Sequence, residues 1–177
     1  MHQIMKGLVA AGVIALSGCA TLPKSGYTPI APIPAPSESY ARPPAIAFDR
    51  SDYAITLQQM SSFYDVPGEA GFSFNGGDYG FESLSFIMTE TQPGGGPPFH
   101  KHDTEEAHVV YFGQIEYVVG DRRFKVDAPY VVRIPAGMPH TFMNVSAGPV
   151  NVTGVFPTKV HSYTEIGPNP LVRDAGR

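Results

Sequence analysis

The chain has 177 residues, with 16 acidic against 12 basic side chains and a formal net charge of −4. That mild acidity, without a basic stripe, excludes a nucleic-acid binder held by phosphate contacts and a surface built to attract anionic lipid. A single cysteine excludes a disulfide framework within the monomer and a thiolate metal cluster.

Lys6 opens an apolar run over residues 7–16, too short to span a bilayer as a helix, which takes about 20 residues. The run ends in Leu16-Ser17-Gly18-Cys19, so residues 1–18 read as an export signal; the other reading of Cys19 is a buried structural thiol. These four residues resemble the lipobox of bacterial lipoproteins. The resemblance implies cleavage before Cys19, a diacylglycerol on its sulfur, and an exported, membrane-anchored lipoprotein facing the periplasm. Ala20 follows where an aspartate would signal retention at the inner membrane, which favours the outer membrane. Residues 19–45 then carry Pro23, Pro29, Pro32, Pro34, Pro36, Pro43 and Pro44. Proline at this density prevents helix and favours extended polyproline II, so the segment reads as a lipidated tether on the order of 70 Å long when extended.

Residues 46–165 are one domain's worth of chain, patterned as β throughout, with a polar tail over 166–177. Tyr53, Ile55 and Leu57 alternate as in a strand running to Met60, the reading preferred over a short helix capped by Ser51. Asn75-Gly76-Gly77-Asp78 reads as a hairpin turn between strands at 72–74 and 79–81. Residues 81–91 alternate, residues 106–119 form a long β-rich run broken at Gly113, and Gly120-Asp121 turns into a strand at 123–127. Strands at 130–134, 140–145 and 150–156 complete the series, and the tail after about residue 161 is expected to be loosely held.

His100 and His102 lie two apart, so on a strand both imidazoles leave the same face about 6.6 Å apart at the backbone. Glu106 returns after the short turn Asp103-Thr104-Glu105, and Pro135-Ala136-Gly137-Met138-Pro139 delivers His140 from a distant strand. Three imidazoles and a carboxylate suit a divalent transition metal: Zn, Mn, Fe, Ni, Co or Cu. For an exported chain filled from the envelope's metal pool, Zn, Cu or Ni is expected to be prominent.

At these residues the chain resembles the cupin superfamily. Its first motif is met at Gly94, His100, His102, Glu106 and Gly113, and its second at Pro135, Gly137, His140 and Asn144, with Pro129 where a glycine is usual. The resemblance implies an all-β fold, the conical double-stranded jelly-roll barrel. It also implies a metal on His100, His102, Glu106 and His140 with one or two positions open, and a homodimer joined through sheet edges. Strand alternation puts His108 and Val110 inward with Glu106, so His108 is either a general acid or base beside the metal or a packed core histidine. Phe86, Met88, Phe99 and Phe142 would give an apolar, partly aromatic cavity for an uncharged or aromatic small molecule, whereas an inward Arg133 would reverse that preference. Two functions follow: a metal-dependent dioxygenase, isomerase or decarboxylase with Glu106 and His108 as its catalytic groups, or a non-catalytic module that binds or senses a small molecule or metal at the envelope.

Overall fold

The computed structural model describes residues 46–49, 51–60, 63–66 and 68–172; the export signal, Cys19 and the proline-rich tether lie outside the described residues. Eleven strands follow in order: β1 Phe63–Val66, β2 Glu69–Phe74, β3 Ser85–Thr91, β4 Phe99–Lys101, β5 Glu106–Val110, β6 Gln114–Val119, β7 Arg122–Asp127, β8 Tyr130–Ile134, β9 His140–Asn144, β10 Val150–Phe156 and β11 Thr164–Gly167. They form two antiparallel sheets, one ordered β1-β2-β3-β10-β5-β8 and the other β11-β4-β9-β6-β7. Consecutive strands repeatedly cross from one sheet to the other, which makes the jelly roll.

Period-two alternation decides which side chains fill the space between the sheets. On β5, Glu106, His108 and Val110 are buried while Ala107 and Val109 are only partly so. Val110, Ile115, Tyr117, Val132, Ile134, Phe142, Val150 and Val152 meet there as the main core. Every residue of β9 is buried, because its strand is covered on both faces. His140 and Phe142 face the interior, and Met143 packs outward under Leu171 together with Val118.

Several segments differ from their sequence-based expectation. Residues 53–60 form no strand; a 3-10 turn at Leu57–Gln59 closes on a capping box between Thr56 and Gln59. This segment lays Ile55, Leu57 and Met60 against Phe72, Phe74 and Tyr79 on the outside of the first sheet. Its alternating apolar residues cover a face rather than pair an edge. Gly76–Tyr79 is also a 3-10 turn, and β2 pairs with β3 from Glu69↔Thr91 to Phe74↔Phe86, so no strand forms at 79–81. Phe86 and Met88 join that same outer cluster and do not wall the cavity. Arg133 is exposed on β8 between buried Val132 and Ile134, which removes the alternative of an arginine in the cavity.

The chain after residue 161 is integral to the fold. β11 pairs with β4, Asn169 Nδ2 donates to the carbonyls of Pro97 and Phe142 at 2.8 Å each, and Leu171 is 1% exposed. The turn holding Pro129 is built on a cis Ala128–Pro129 peptide.

Candidate metal centre

His100 and His140 are direct cross-strand partners between β4 and β9, so their rings leave the same face and approach to 4.3 Å between centroids. His102 follows β4, and its position is tied to the second motif by the Gly137 amide, which donates to the His102 carbonyl at 2.7 Å. Gly137 sits at φ 71°, a backbone that glycine takes without the Cβ clash, and so it can aim its amide there. Glu106 arrives from β5 in the opposite sheet. Gly154 on the neighbouring β10 makes room for its carboxylate: a Cβ there would lie 2.5 Å from Glu106 Oε1.

All four side chains are at most 5% exposed, and one donor atom from each lies within 4.8 Å of the others. The imidazoles are oriented alike. His100 Nδ1 bonds the Pro98 carbonyl at 2.8 Å, His140 Nδ1 the Met138 carbonyl at 2.9 Å, and His102 Nδ1 the Ser162 carbonyl. A carbonyl only accepts, so each Nδ1 carries the proton and each Nε2 presents a lone pair. Burial pushes the His100 imidazole down to about 3, with His140 adding to the effect, and burial likewise lowers His102, which keeps both rings neutral. Burial alone would raise the Glu106 carboxyl, but His108, His140 and His102 together outweigh it and hold it well below the usual carboxylate range.

The donor atoms fit a cation. His102 Nε2, His140 Nε2 and Glu106 Oε2 are buried without a hydrogen-bond partner. His140 Nε2 is 3.0 Å from Glu106 Oε2 and His102 Nε2 is 3.4 Å away, and with both rings protonated on Nδ1 neither contact is a hydrogen bond. Two donors at right angles on an ion with bonds of about 2.1 Å stand about 3.0 Å apart. Leaving three buried polar atoms unsatisfied costs on the order of 1–3 kcal/mol each, and one shared ion satisfies them all. The His3Glu group can therefore bind a metal.

His108 is buried beside this group, and its Nε2 lies 3.0 Å from Glu106 Oε1. It spans no ligand position; it holds one carboxylate oxygen so that the other faces the imidazoles. Its ring packs edge-on against Phe142 at 5.6 Å, and its Nδ1 has no partner. Phe142 thus lies next to His108, and Asn144 is structural: its amide donates to the Thr91 and Gly148 carbonyls at 2.8 Å each.

A cavity of about 310 Å³ opens beside His100, lined by Ser73, Ile87, Pro97, Pro98, His100, His161, Tyr163 and Glu165. Of this lining, sequence reasoning had placed only His100 at the site. Tyr163 stacks on His100 at 4.7 Å, and His161 lies between Ser73 Oγ at 2.7 Å and Ser85 Oγ at 3.2 Å. The one signal that could have found them is the histidine-tyrosine pair in a segment otherwise read as tail.

Residues 87–157 match the family described as the cupin domain. The fold is shared with oxalate decarboxylases. The Lactobacillus farciminis enzyme in its formate complex superposes with a TM-score of 0.56 at 21% identity, over 59% of this chain and 33% of that one. A Bacillus subtilis oxalate decarboxylase studied for its Mn(II) centres gives 0.56 at 17%, over 60% and 30%. This chain spans about a third of the length of those enzymes, and at such identity the likeness carries the fold alone. No curated protein matches it. The two antiparallel sheets form a cupin-like jelly roll, and the cupin match covers the part of it that carries all four His3Glu residues.

Proposed function

We propose that the protein is a metal-dependent cupin enzyme of the cell envelope, acting on a small molecule in the dioxygenase, isomerase or decarboxylase class. The observation that carries this reading is the set of three Nδ1-anchored imidazoles whose Nε2 atoms converge with an orphaned carboxylate oxygen beside an open cavity. When bound, a divalent ion such as Zn, Mn, Fe, Ni, Co or Cu supplies a Lewis acid with an open position. Around it, His100, His102, Glu106 and His140 hold the ion, and the cavity beside His100 admits the molecule. Tyr163, Pro97 and Pro98 exclude water and orient the molecule against the imidazole, and Glu106 and its partner His108 are the groups that exchange a proton during turnover.

The protein is anchored through a lipid on Cys19, faces the periplasm from the outer membrane, and pairs as a homodimer through sheet edges. The test is chemical. Protein loaded separately with zinc, manganese, iron and copper is incubated with a low-molecular-weight extract of the native cells, and the small molecules are followed by NMR against a His140→Ala control. Catalytic depletion of a compound by one metal form is expected. Stoichiometric retention without depletion by any form would instead make the protein a binding or sensing module, the reading that the same cavity serves without turnover.

A further inference from the structure

The geometry points to Glu165 as a selectivity residue that keeps anions out of the cavity beside His100, so that the molecule reaching the metal centre is uncharged. This rests on the metal reading above. Glu165 is the cross-strand partner of His100 between β11 and β4, and partners of this kind project from the same face. Its side chain therefore leaves the sheet on the same face as the ligand histidine, and it lines the cavity at an exposed position on the rim.

The remaining lining settles the sign of the field. Ile87, Pro97, Pro98 and Tyr163 are without formal charge, Ser73 is a neutral hydroxyl, and among the described residues no lysine or arginine lines the cavity. His161 is held between two serine hydroxyls, and burial favours its neutral form. Arg133, which could have supplied a cation, is exposed on a strand that does not line this cavity. A divalent ion and the Glu106 carboxylate together leave one positive charge; at pH 8 the buried Glu69 carboxyl, pushed up to about 7, is ionised too, so with Glu165 the group carries a net negative charge. An entering anion thus finds no net attraction and passes a carboxylate on its way in, while a neutral molecule finds apolar walls and a stacked tyrosine-imidazole pair.

The probes are azide, an anion, and imidazole, a neutral ligand at pH 8, added to full-length cobalt-loaded protein, with binding read from the visible spectrum of the cobalt. Elemental analysis first establishes the cobalt content of wild type, Glu165→Gln and Glu165→Lys. Azide is expected to bind about tenfold more tightly to Glu165→Gln than to wild type, and more tightly again to Glu165→Lys. Imidazole is expected to hold the same affinity within about twofold in all three, since it carries no charge for the carboxylate to repel. Equal azide affinity in the three proteins would overturn the assignment, as would a cobalt spectrum that neither ligand moves, because the cavity would then not open on the metal. Protein that takes up no cobalt removes the metal reading and this one together. The expected azide series in a protein that turns over no compound removes only the enzyme reading.

Discussion

Glu106 works as a ligand because its two oxygens are given separate tasks. Oε1 meets His108 Nε2 at 3.0 Å, and Oε2 faces His140 and His102. Losing the partner that fixes a ligating carboxylate typically costs about 10- to 100-fold in metal affinity. His108→Leu is expected to lose affinity in that range by chelator competition, while His108→Gln, which keeps an N–H donor, recovers most of it. Unchanged affinity in the leucine variant would mean that His108 only packs. On β2, Glu69 is 0% exposed, accepts a 2.9 Å bond from Thr91 Oγ1 and leaves Oε2 without a partner. Burial pushes this carboxyl up to about 7 from 4.5, so between those values the folded chain keeps a proton that the unfolded chain has released. Stability from Glu69 is therefore lost as pH rises through that window, by on the order of 3 kcal/mol. His100, lowered to about 3, acts oppositely: its unfolded form binds the extra proton, so metal-free protein loses stability as pH falls below 6.5. The two slopes oppose one another from 4.5 to 6.5. Glu69→Gln removes one of them, and urea unfolding of the metal-free protein is expected to show its advantage over wild type widening from pH 4.5 to 7. A constant gap would show that Glu69 ionises as an ordinary carboxylate.

At the level of strands and connections, the part that sets the site was legible because its spacing is rigid. His-x-His on one strand, a three-residue turn to Glu106 and the Pro-x-Gly connection before His140 each translate directly into direction. The outer coverings were not legible. Residues 53–60 alternate like a strand, yet their apolar side chains find their partners on the outside of another sheet, information that periodicity does not hold. Tyr130-Val131-Val132-Arg133-Ile134 carries apolar residues on both faces, so alternation alone left the side of Arg133 open. The last strand is short and mostly exposed, and only its pairing with β4 and the burial of Leu171 reveal it. That segment also supplies Ser162, whose carbonyl orients His102, so the closing strand and the metal ligands are mechanically joined. Leu171→Ala, which empties a site shared with Val118 and Met143, is expected to cost about 2–5 kcal/mol in unfolding free energy. A loss below about 0.5 kcal/mol, the scale of an ordinary surface change, would return the segment to the status of a tail.

Across the whole molecule, the described domain begins about 26 residues after Cys19, with the proline-rich segment between them. In extended polyproline II that stretch rises about 3.1 Å per residue, so a cysteine-linked lipid would leave the barrel able to stand well clear of the bilayer. Such a separation matters for a cavity bordered by Tyr163 and Glu165 on an edge strand, because a barrel pressed against the headgroups would have that mouth shaded. One acyl chain gives only marginal, reversible membrane binding, whereas two or three anchor firmly, which makes anchoring sensitive to the single sulfur that would carry the diacylglycerol. Cys19→Ser is therefore expected to move the protein out of the membrane fraction and to abolish incorporation of labelled palmitate. It should leave the His3Glu group, more than 80 residues away, with the same metal content per folded domain. A serine variant that stays with the membrane after high-salt washing, or a wild type that takes up no palmitate, would separate the barrel from the lipid anchor and leave the metal centre to be explained in a soluble compartment.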